Sequence, residues 1–137
     1  SSQSFVEVSF KDQIINLVAD YFESNFKISI KGIDSIVWKN INDSIKRTLF
    51  LAVRETIQNS KKHADASLIT IVFETSKKTI KITISDNGKG FDKETKKKGI
   101  GLRNLKERVE SINGVYLIES ELQKGTITKI ETPKDER

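Results

Sequence analysis

The segment from residue 43 to residue 63 constrains the fold of this chain more than any other. Its apolar side chains recur every three or four residues, which predicts a long amphipathic helix. The apolar stripe of this helix consists of Ile45, Leu49, Ala52, Val53, Ile57 and Ser60. The opposite face is polar and carries Arg47, Arg54, Gln58 and Lys61. We therefore expect the stripe to pack against a sheet supplied by the rest of the chain.

A shorter helix and a strand are predicted before this long helix. Ser9 and Asp12 resemble a capping box, and the helix that they open is expected over about residues 9–24. A half-buried strand is expected next, because apolar and polar residues alternate from residue 26 to residue 31.

After the long helix, the pattern changes mainly to strands. Residues 68–73 are rich in β-formers, a turn is indicated at 76–78, and residues 80–85 alternate between isoleucine and polar residues. Helical spacing returns from Leu102 and stops at Asn113-Gly114, and two short strands are expected at about 115–120 and 126–131. These elements predict an α+β fold with a mixed, largely antiparallel sheet and helices on one face.

The composition narrows the class of protein. A chain of 137 residues has the size of one domain, and 36% hydrophobic with 31% charged residues is typical of a soluble globular protein. The absence of cysteine excludes disulfides, cysteine-ligated zinc and a thiol nucleophile, and the single histidine, His63, excludes a multi-histidine metal site.

The expected cellular location and the net charge indicate the function less specifically. No apolar run reaches the roughly 18 residues of a membrane span, so we expect a cytoplasmic domain. Because the chain lacks methionine and begins with serine, we expect a segment of a longer protein. The net charge of +5 favours anionic partners, but general enrichment in surface lysine accounts for it equally well.

Three polar side chains lie on one flank of the predicted long helix. At about 100° per residue, Glu55, Asn59 and Lys62 fall within about 60° of one another beside the apolar stripe. An asparagine oxygen can ligate Mg²⁺, a glutamate can hold a water or act as a base, and a lysine can meet a phosphate. An ordinary amphipathic helix with polar shoulders has the same pattern. His63 lies at the edge of the stripe, as a packing residue or as an outer contact to a nucleotide.

An aspartate followed by two glycines comes directly after the predicted hairpin. Asp86 stands at the end of an apolar strand, where its carboxylate can accept a hydrogen bond from an exocyclic amine such as that of adenine. Gly88 and Gly90 permit tight backbone turns and project nothing into a site for a base. A generic Asn-Gly turn between strands also accounts for this segment.

Two further glycines precede the predicted helix that begins at Leu102. Gly99 and Gly101 leave backbone N–H groups exposed at a helix N-terminus, where the dipole favours anions, so a phosphate site is indicated. The segment is not a P-loop, and Asn104 stands where a dinucleotide-binding fingerprint requires glycine. A flexible loop before a capped helix is the alternative interpretation, and the lysines at 93–98 are equally compatible with a solvated loop.

The order and spacing of these motifs resemble the GHKL ATPase family, which includes histidine kinases, Hsp90-like chaperones, type II topoisomerases and MutL-type repair proteins. Residues 54–64 are similar to the asparagine box of histidine kinases of the NarX/DesK type. Residues 86–92 and 99–108 are similar to the glycine boxes of that subgroup, and Gly125-Thr126 lies between the final strands as in the family. The resemblance covers roughly residues 9–133.

The resemblance implies a two-layer α/β sandwich, the Bergerat fold, with ATP held between helices and a lid. Asn59 would ligate a Mg²⁺ that bridges the ATP phosphates, and Asp86 would bind the adenine amino group. The resemblance assigns the base pocket and lid to Gly88, Gly90, Gly99, Gly101, Leu102 and Thr126, with Thr126 closing the adenine side. Glu55 would orient a metal-bound water or assist transfer. Lys62 and His63 would contact phosphates or ribose.

The resemblance also implies partners. Residues 1–25 would be the first helix and the link from a dimerisation and phosphoacceptor region, and residues 26–137 would be the ATP-binding domain. In the full protein, the γ-phosphoryl group would pass to a histidine of that region and then to a response-regulator aspartate. We expect no nucleic-acid partner, and membrane contact only through parts outside this sequence.

Three other functions remain compatible with the residues. A GHKL serine kinase of the anti-sigma type shares the motifs, although the short lid and the NarX-like boxes argue against it. A basic nucleic-acid-binding module is suggested by the pI near 9.4, but no recognition helix or interleaved aromatic pattern is present. A scaffold that binds nucleotide without transferring phosphate is the third.

Overall fold

The computed structural model of the chain describes residues 8–22, 24–91 and 102–135. Its helices and strands, in chain order, are α1 (Phe10–Ala19), β1 (Lys27–Lys31), α2 (Asp43–Lys62), β2 (Leu68–Thr75), β3 (Thr79–Asp86), α3 (Leu102–Glu110), β4 (Val115–Ser120) and β5 (Thr126–Pro133). Two short 3-10 turns, Ile33–Ser35 and Trp38–Asn40, connect β1 to α2. The predicted elements are all present.

The strands form one mixed sheet with the order β1-β2-β3-β5-β4. Strand β1 runs parallel to β2, and the other neighbouring pairs are antiparallel. The final hairpin adds its second strand, β5, directly beside β3, which leaves β4 at the edge. This arrangement places Thr126 of β5 opposite Asp86 of β3 in the register.

In the part of the chain that the structure describes, helices cover one face of the sheet and leave the other face open. Isoleucines on its covered face, among them Ile71, Ile82 and Ile130, are completely buried. Residues that point to the other face, such as Leu117 and Ile127, remain exposed. The predicted two-layer α+β sandwich with helices on one face is therefore confirmed.

Helix α2 packs its predicted stripe into the core. Ile45, Leu49 and Ile57 have no exposed surface. Asn42 caps the helix, because its Oδ1 accepts a hydrogen bond from the Ser44 backbone N–H at 2.8 Å. None of the described helices is both long enough and apolar enough to cross a membrane.

Helix α1 begins as predicted but ends earlier. Ser9 caps it by accepting a hydrogen bond from the backbone N–H of Asp12 at 3.2 Å. The predicted end near residue 24 was wrong, because the helix stops at Ala19 and the chain turns. The Ser24 hydroxyl donates to the Tyr21 carbonyl at 2.8 Å, a local bond that competes with helical pairing. Phe22, which continued the apolar spacing, is 86% exposed.

Helix α1 shares its core with the rest of the chain. Phe10 stacks on Trp38 with ring centroids 4.2 Å apart, and Ile14 is fully buried. An ion pair between Lys11 and Asp34 joins the helix to the turn after β1. The interpretation of residues 1–25 as a link from a preceding region stays a prediction, but α1 packs as part of the domain.

The one-sided sheet predicts very different costs for two leucine truncations. Leu49→Ala should lower the free energy of unfolding by about 2–5 kcal/mol, because it leaves a cavity under α2. Leu117→Ala, on the open face where the side chain is 55% exposed, should cost less than about 1 kcal/mol. Urea unfolding of both variants checks this, and similar losses for the two would contradict a sheet with one open face.

Candidate functional site

A cavity lies between the C-terminal half of α2 and the edge of the sheet. Its walls come from α2 and the two residues after it, the end of β3, the start of α3, and strands β4 and β5. The lining residues are Thr56, Asn59, Ser60, His63, Ala64, Asp86, Phe91, Leu102, Tyr116, Ile118, Thr126 and Thr128. Polar groups from α2 and β3 thus face an apolar wall from α3 and β4, an arrangement typical of a small-molecule site.

Asp86 presents a carboxylate whose two oxygens are both held. Its Oδ2 accepts a hydrogen bond from the Ser60 hydroxyl at 2.7 Å, and its Oδ1 accepts one from the Gly88 backbone N–H at 2.9 Å. Each carboxylate oxygen can accept more than one hydrogen bond. Asp86 can therefore accept a further donor from a ligand without losing these two bonds.

The glycines after Asp86 are required by close packing. A Cβ on Gly88 would meet the Ala64 carbonyl oxygen and would lie 2.8 Å from the Ala64 Cβ. The neighbouring backbone N–H of Lys89 donates to that same carbonyl at 2.7 Å. Gly90 has a left-handed φ of 64°, and a Cβ there would meet the Glu121 carbonyl. The loop after β3 therefore packs directly on the end of α2 and on the β4–β5 turn.

Thr126 reaches the cavity from the strand beside Asp86. The two residues are register partners in β3 and β5, so their side chains share the covered face. The Thr126 hydroxyl lies 2.8 Å from the Ser120 hydroxyl, and Ser120 Oγ also accepts a hydrogen bond from the backbone N–H of Phe91 at 2.9 Å. Ser120 thus connects the segment after β3 to the final hairpin.

The structure brings together most of the predicted site residues that it describes. Asn59, His63, Asp86, Leu102 and Thr126 line the cavity, and Gly88 and Gly90 are buried beside it. Glu55 and Lys62 do not line it, and Lys62 is exposed. Gly99 and Gly101 lie outside the described residues.

Sequence reasoning missed Ser60, Ser120 and Tyr116 at this site. Ser60 was assigned to the apolar stripe of α2, and burial on that face is what directs its hydroxyl toward Asp86. Tyr116 is the buried residue in the alternating pattern of β4, but it belongs to none of the sequence motifs. The sequence does indicate Thr126, because it follows Gly125 between the two final strands, and β5 is the strand that pairs with β3 beside Asp86.

A family model described as "Histidine kinase-, DNA gyrase B-, and HSP90-like ATPase" matches residues 44–136. The chain belongs to this ATPase family. It is 33% identical over 116 residues to the signal transduction histidine-protein kinase/phosphatase DegS of Bacillus subtilis, an alignment that covers 82% of this chain and 30% of DegS. The oxygen sensor histidine kinase NreB of Staphylococcus carnosus is 28% identical over 114 residues, which cover 82% of this chain and 33% of NreB.

A solved structure shows the same fold. The ATP-binding domain of PrrB from Mycobacterium tuberculosis superposes with a TM-score of 0.68 at 20% identity, covering 94% of this chain and 96% of that one. The chain spans about a third of the length of the curated relatives described above. The resemblance to the GHKL family is confirmed, and these relatives give no support to the serine-kinase or nucleic-acid interpretation.

Within this ATPase domain, Tyr116 forms part of the apolar wall. The residue is only 5% exposed. Burial raises the pKa of its hydroxyl to about 12, because the phenolate would lose its hydration inside the wall. The neutral, protonated side chain is thus the form that the fold accommodates.

The buried phenol predicts a loss of stability at high pH. In the unfolded chain Tyr116 ionises near pH 10.0, whereas its folded pKa is about 12, so the unfolded state releases its proton first. Its contribution of up to about 2–3 kcal/mol is therefore fully present below pH 10 and is lost as the pH rises toward 12. Urea unfolding at each pH should show a shallower decline for Tyr116→Phe than for the parent.

The matched control for this measurement is the other tyrosine of the chain. Burial and the nearby Asp20 also raise the pKa of Tyr21, but its side chain is less buried. Tyr21→Phe should therefore flatten the decline in stability less than Tyr116→Phe does. A decline of equal steepness in all three proteins would contradict the burial of the Tyr116 hydroxyl.

Proposed function

We propose that this chain binds Mg-ATP and supplies its γ-phosphoryl group to a histidine that lies outside this sequence, in a two-component signalling system. The observation that carries the proposal is the Asp86 carboxylate, held by Ser60 and Gly88 at the wall of the cavity. The family of the chain and the histidine-kinase names of its relatives support the reaction.

The adenine end of the site is proposed at Asp86. A carboxylate is an acceptor that matches the donor character of the adenine amino group. Gly88 and Gly90 keep side chains out of the base position, and Thr126 closes the adenine side from β5. Phe91 and Leu102 add apolar surface against which a planar base can pack.

The phosphate end is proposed at the C-terminal end of α2. The described residues contain no group of three acidic, histidine or cysteine side chains that could hold a metal ion. A metal ion at this end would therefore be held by few protein groups, and Mg²⁺ is commonly bound in that way, by one or two protein oxygens together with substrate phosphates and water. The Asn59 side chain would supply the protein oxygen, and the ion would offset the charge on the phosphates.

Other residues have supporting roles in this proposal. Glu55, one turn before Asn59, would orient a metal-bound water or assist transfer. Lys62 and His63 would contact phosphates or ribose from the end of the helix, where both are exposed. Gly99, Gly101 and Leu102 would form the lid hinge and a phosphate contact.

The proposed transfer needs a second domain. The lone pair of an imidazole nitrogen of the acceptor histidine would attack the γ-phosphorus, and the bond to the bridging oxygen would break with its electron pair leaving on ADP. The other ring nitrogen would release its proton to a base, which restores a neutral phosphoimidazole ring. The phosphoryl group then passes to an aspartate of a response regulator. The ATP-binding domain contributes positioning and electrostatic stabilisation rather than a covalent intermediate. We place the domain in the cytoplasm, with any membrane attachment in parts of the protein outside this sequence.

The adenine assignment predicts the effect of Asp86→Asn. Loss of a charge-assisted hydrogen bond should weaken ATP binding roughly 10- to 100-fold, measured by calorimetry in the presence of Mg²⁺. Asp65→Asn is the matched control, because Asp65 is exposed and Asn tolerates its left-handed φ of 52°. Unchanged affinity in folded Asp86→Asn would overturn the assignment, and tighter binding of duplex DNA than of ATP by the parent would favour the nucleic-acid alternative.

The metal assignment predicts a different behaviour for Asn59→Ala. The parent should bind ATP more tightly with Mg²⁺ than with a chelator, and the variant should lose that difference because it lacks the ligating oxygen. Gln58→Ala, at a neighbouring position that does not line the cavity, should keep the Mg²⁺ dependence. Equal ATP affinity of the parent with and without Mg²⁺ would rule out this role for Asn59.

A further inference from the structure

Ser60 connects the long helix to the adenine end of the site. Its side chain is only 4% exposed, and its hydroxyl donates to Asp86 Oδ2 at 2.7 Å across 26 positions of sequence. Thr56, one turn earlier on the same face, instead donates to the Ala52 carbonyl of its own helix at 2.7 Å. A buried serine on a helix commonly bonds back to its own helix in this way. Ser60 bonds to a strand residue instead.

The bond limits how the Asp86 carboxylate can turn. Gly88 N–H holds Oδ1 from the chain that follows, and Ser60 holds Oδ2 from the helix. With donors on both oxygens, rotation of the carboxylate would break at least one hydrogen bond. Its orientation is therefore set when the protein folds, so that less ordering remains to be done when a ligand binds.

We propose that Ser60 is a positioning residue for recognition of the 6-amino group of adenine. This inference rests on the proposed function and deepens it. By fixing Asp86, Ser60 keeps an acceptor directed at the base edge. Adenine presents an amine donor at this edge, whereas guanine presents a carbonyl acceptor. A carboxylate that cannot rotate would face this carbonyl oxygen, and the two acceptors would repel each other. Ser60 therefore contributes to both ATP affinity and discrimination against GTP.

The test compares Ser60→Ala with the parent on two nucleotides. Mg-ATP carries the amino group, and the Mg complex of purine riboside triphosphate lacks it. We expect calorimetry to show ATP affinity about three- to tenfold lower in the variant. Affinity for the analogue should be almost unchanged, because Asp86 has no amine to accept from. Equal loss for both nucleotides would indicate a general distortion of the cavity and would overturn the proposal.

A control and a double variant separate position from packing. Thr48→Val removes another buried hydroxyl from α2, about three turns earlier and away from the cavity, and should leave both affinities unchanged. In an Asp86→Asn background, Ser60→Ala should cause no further loss of ATP affinity. The same loss in both backgrounds would show that Ser60 does not act through Asp86.

Folding and the proposed function are checked in the same experiments. Alanine is favourable within a helix, so Ser60→Ala is expected to fold. Urea unfolding of the variant checks that it does. If Ser60→Ala does not fold, Ser60→Cys keeps the side-chain shape with a weak donor and gives the same comparison. If the parent binds ATP and Ser60→Ala binds it with the same affinity, the inference about Ser60 is overturned and the proposed function stands. If the parent does not bind Mg-ATP, both the proposed function and the inference are overturned.

Discussion

The structure depends on burial of one face of α2 against one face of the sheet. Ile45, Leu49 and Ile57 lose all contact with water, and each such side chain is worth roughly 1.5–3 kcal/mol relative to an exposed one. This packing fixes the rotation of the helix about its own axis. The same rotation brings Asn59 and Ser60 to the cavity and leaves Lys62 in solvent. The site therefore inherits its geometry from the core.

Strand register supplies the other half of the site. Asp86 and Thr126 face the same cavity because they are partners across β3 and β5. The turn before Thr126 must approach closely: Gly125 has a left-handed φ of 82°, and a Cβ there would meet the Asp86 carbonyl. A glycine at this position thus allows the final hairpin to contact the end of β3. Residues far apart in sequence meet through backbone geometry that side-chain patterns only partly reveal.

The periodic patterns predicted the elements well because helices and strands expose or bury residues in simple repeats. They were less informative where tertiary contacts decide. Phe22 kept the apolar spacing of α1, yet the chain had already turned, and it is exposed. Ser60 fell in the apolar stripe, and only the position of Asp86 shows that its hydroxyl has a partner. Angular spacing grouped Glu55 with Asn59, but direction alone does not determine which side chain reaches the cavity wall.

The two ends of the site differ in how they are built, and the proposed reaction explains the difference. The proposed adenine end consists of buried or hydrogen-bonded groups, Asp86, Ser60 and Thr126, which helix and sheet hold in place. At the proposed phosphate end, Lys62 and His63 are exposed. In the proposed reaction, a phosphoryl group that reaches a histidine outside this sequence has to be presented at an accessible surface. Rigid recognition of the base and open access to the phosphate are therefore complementary requirements, and α2 connects them because Ser60 and Lys62 lie within one turn of the same helix.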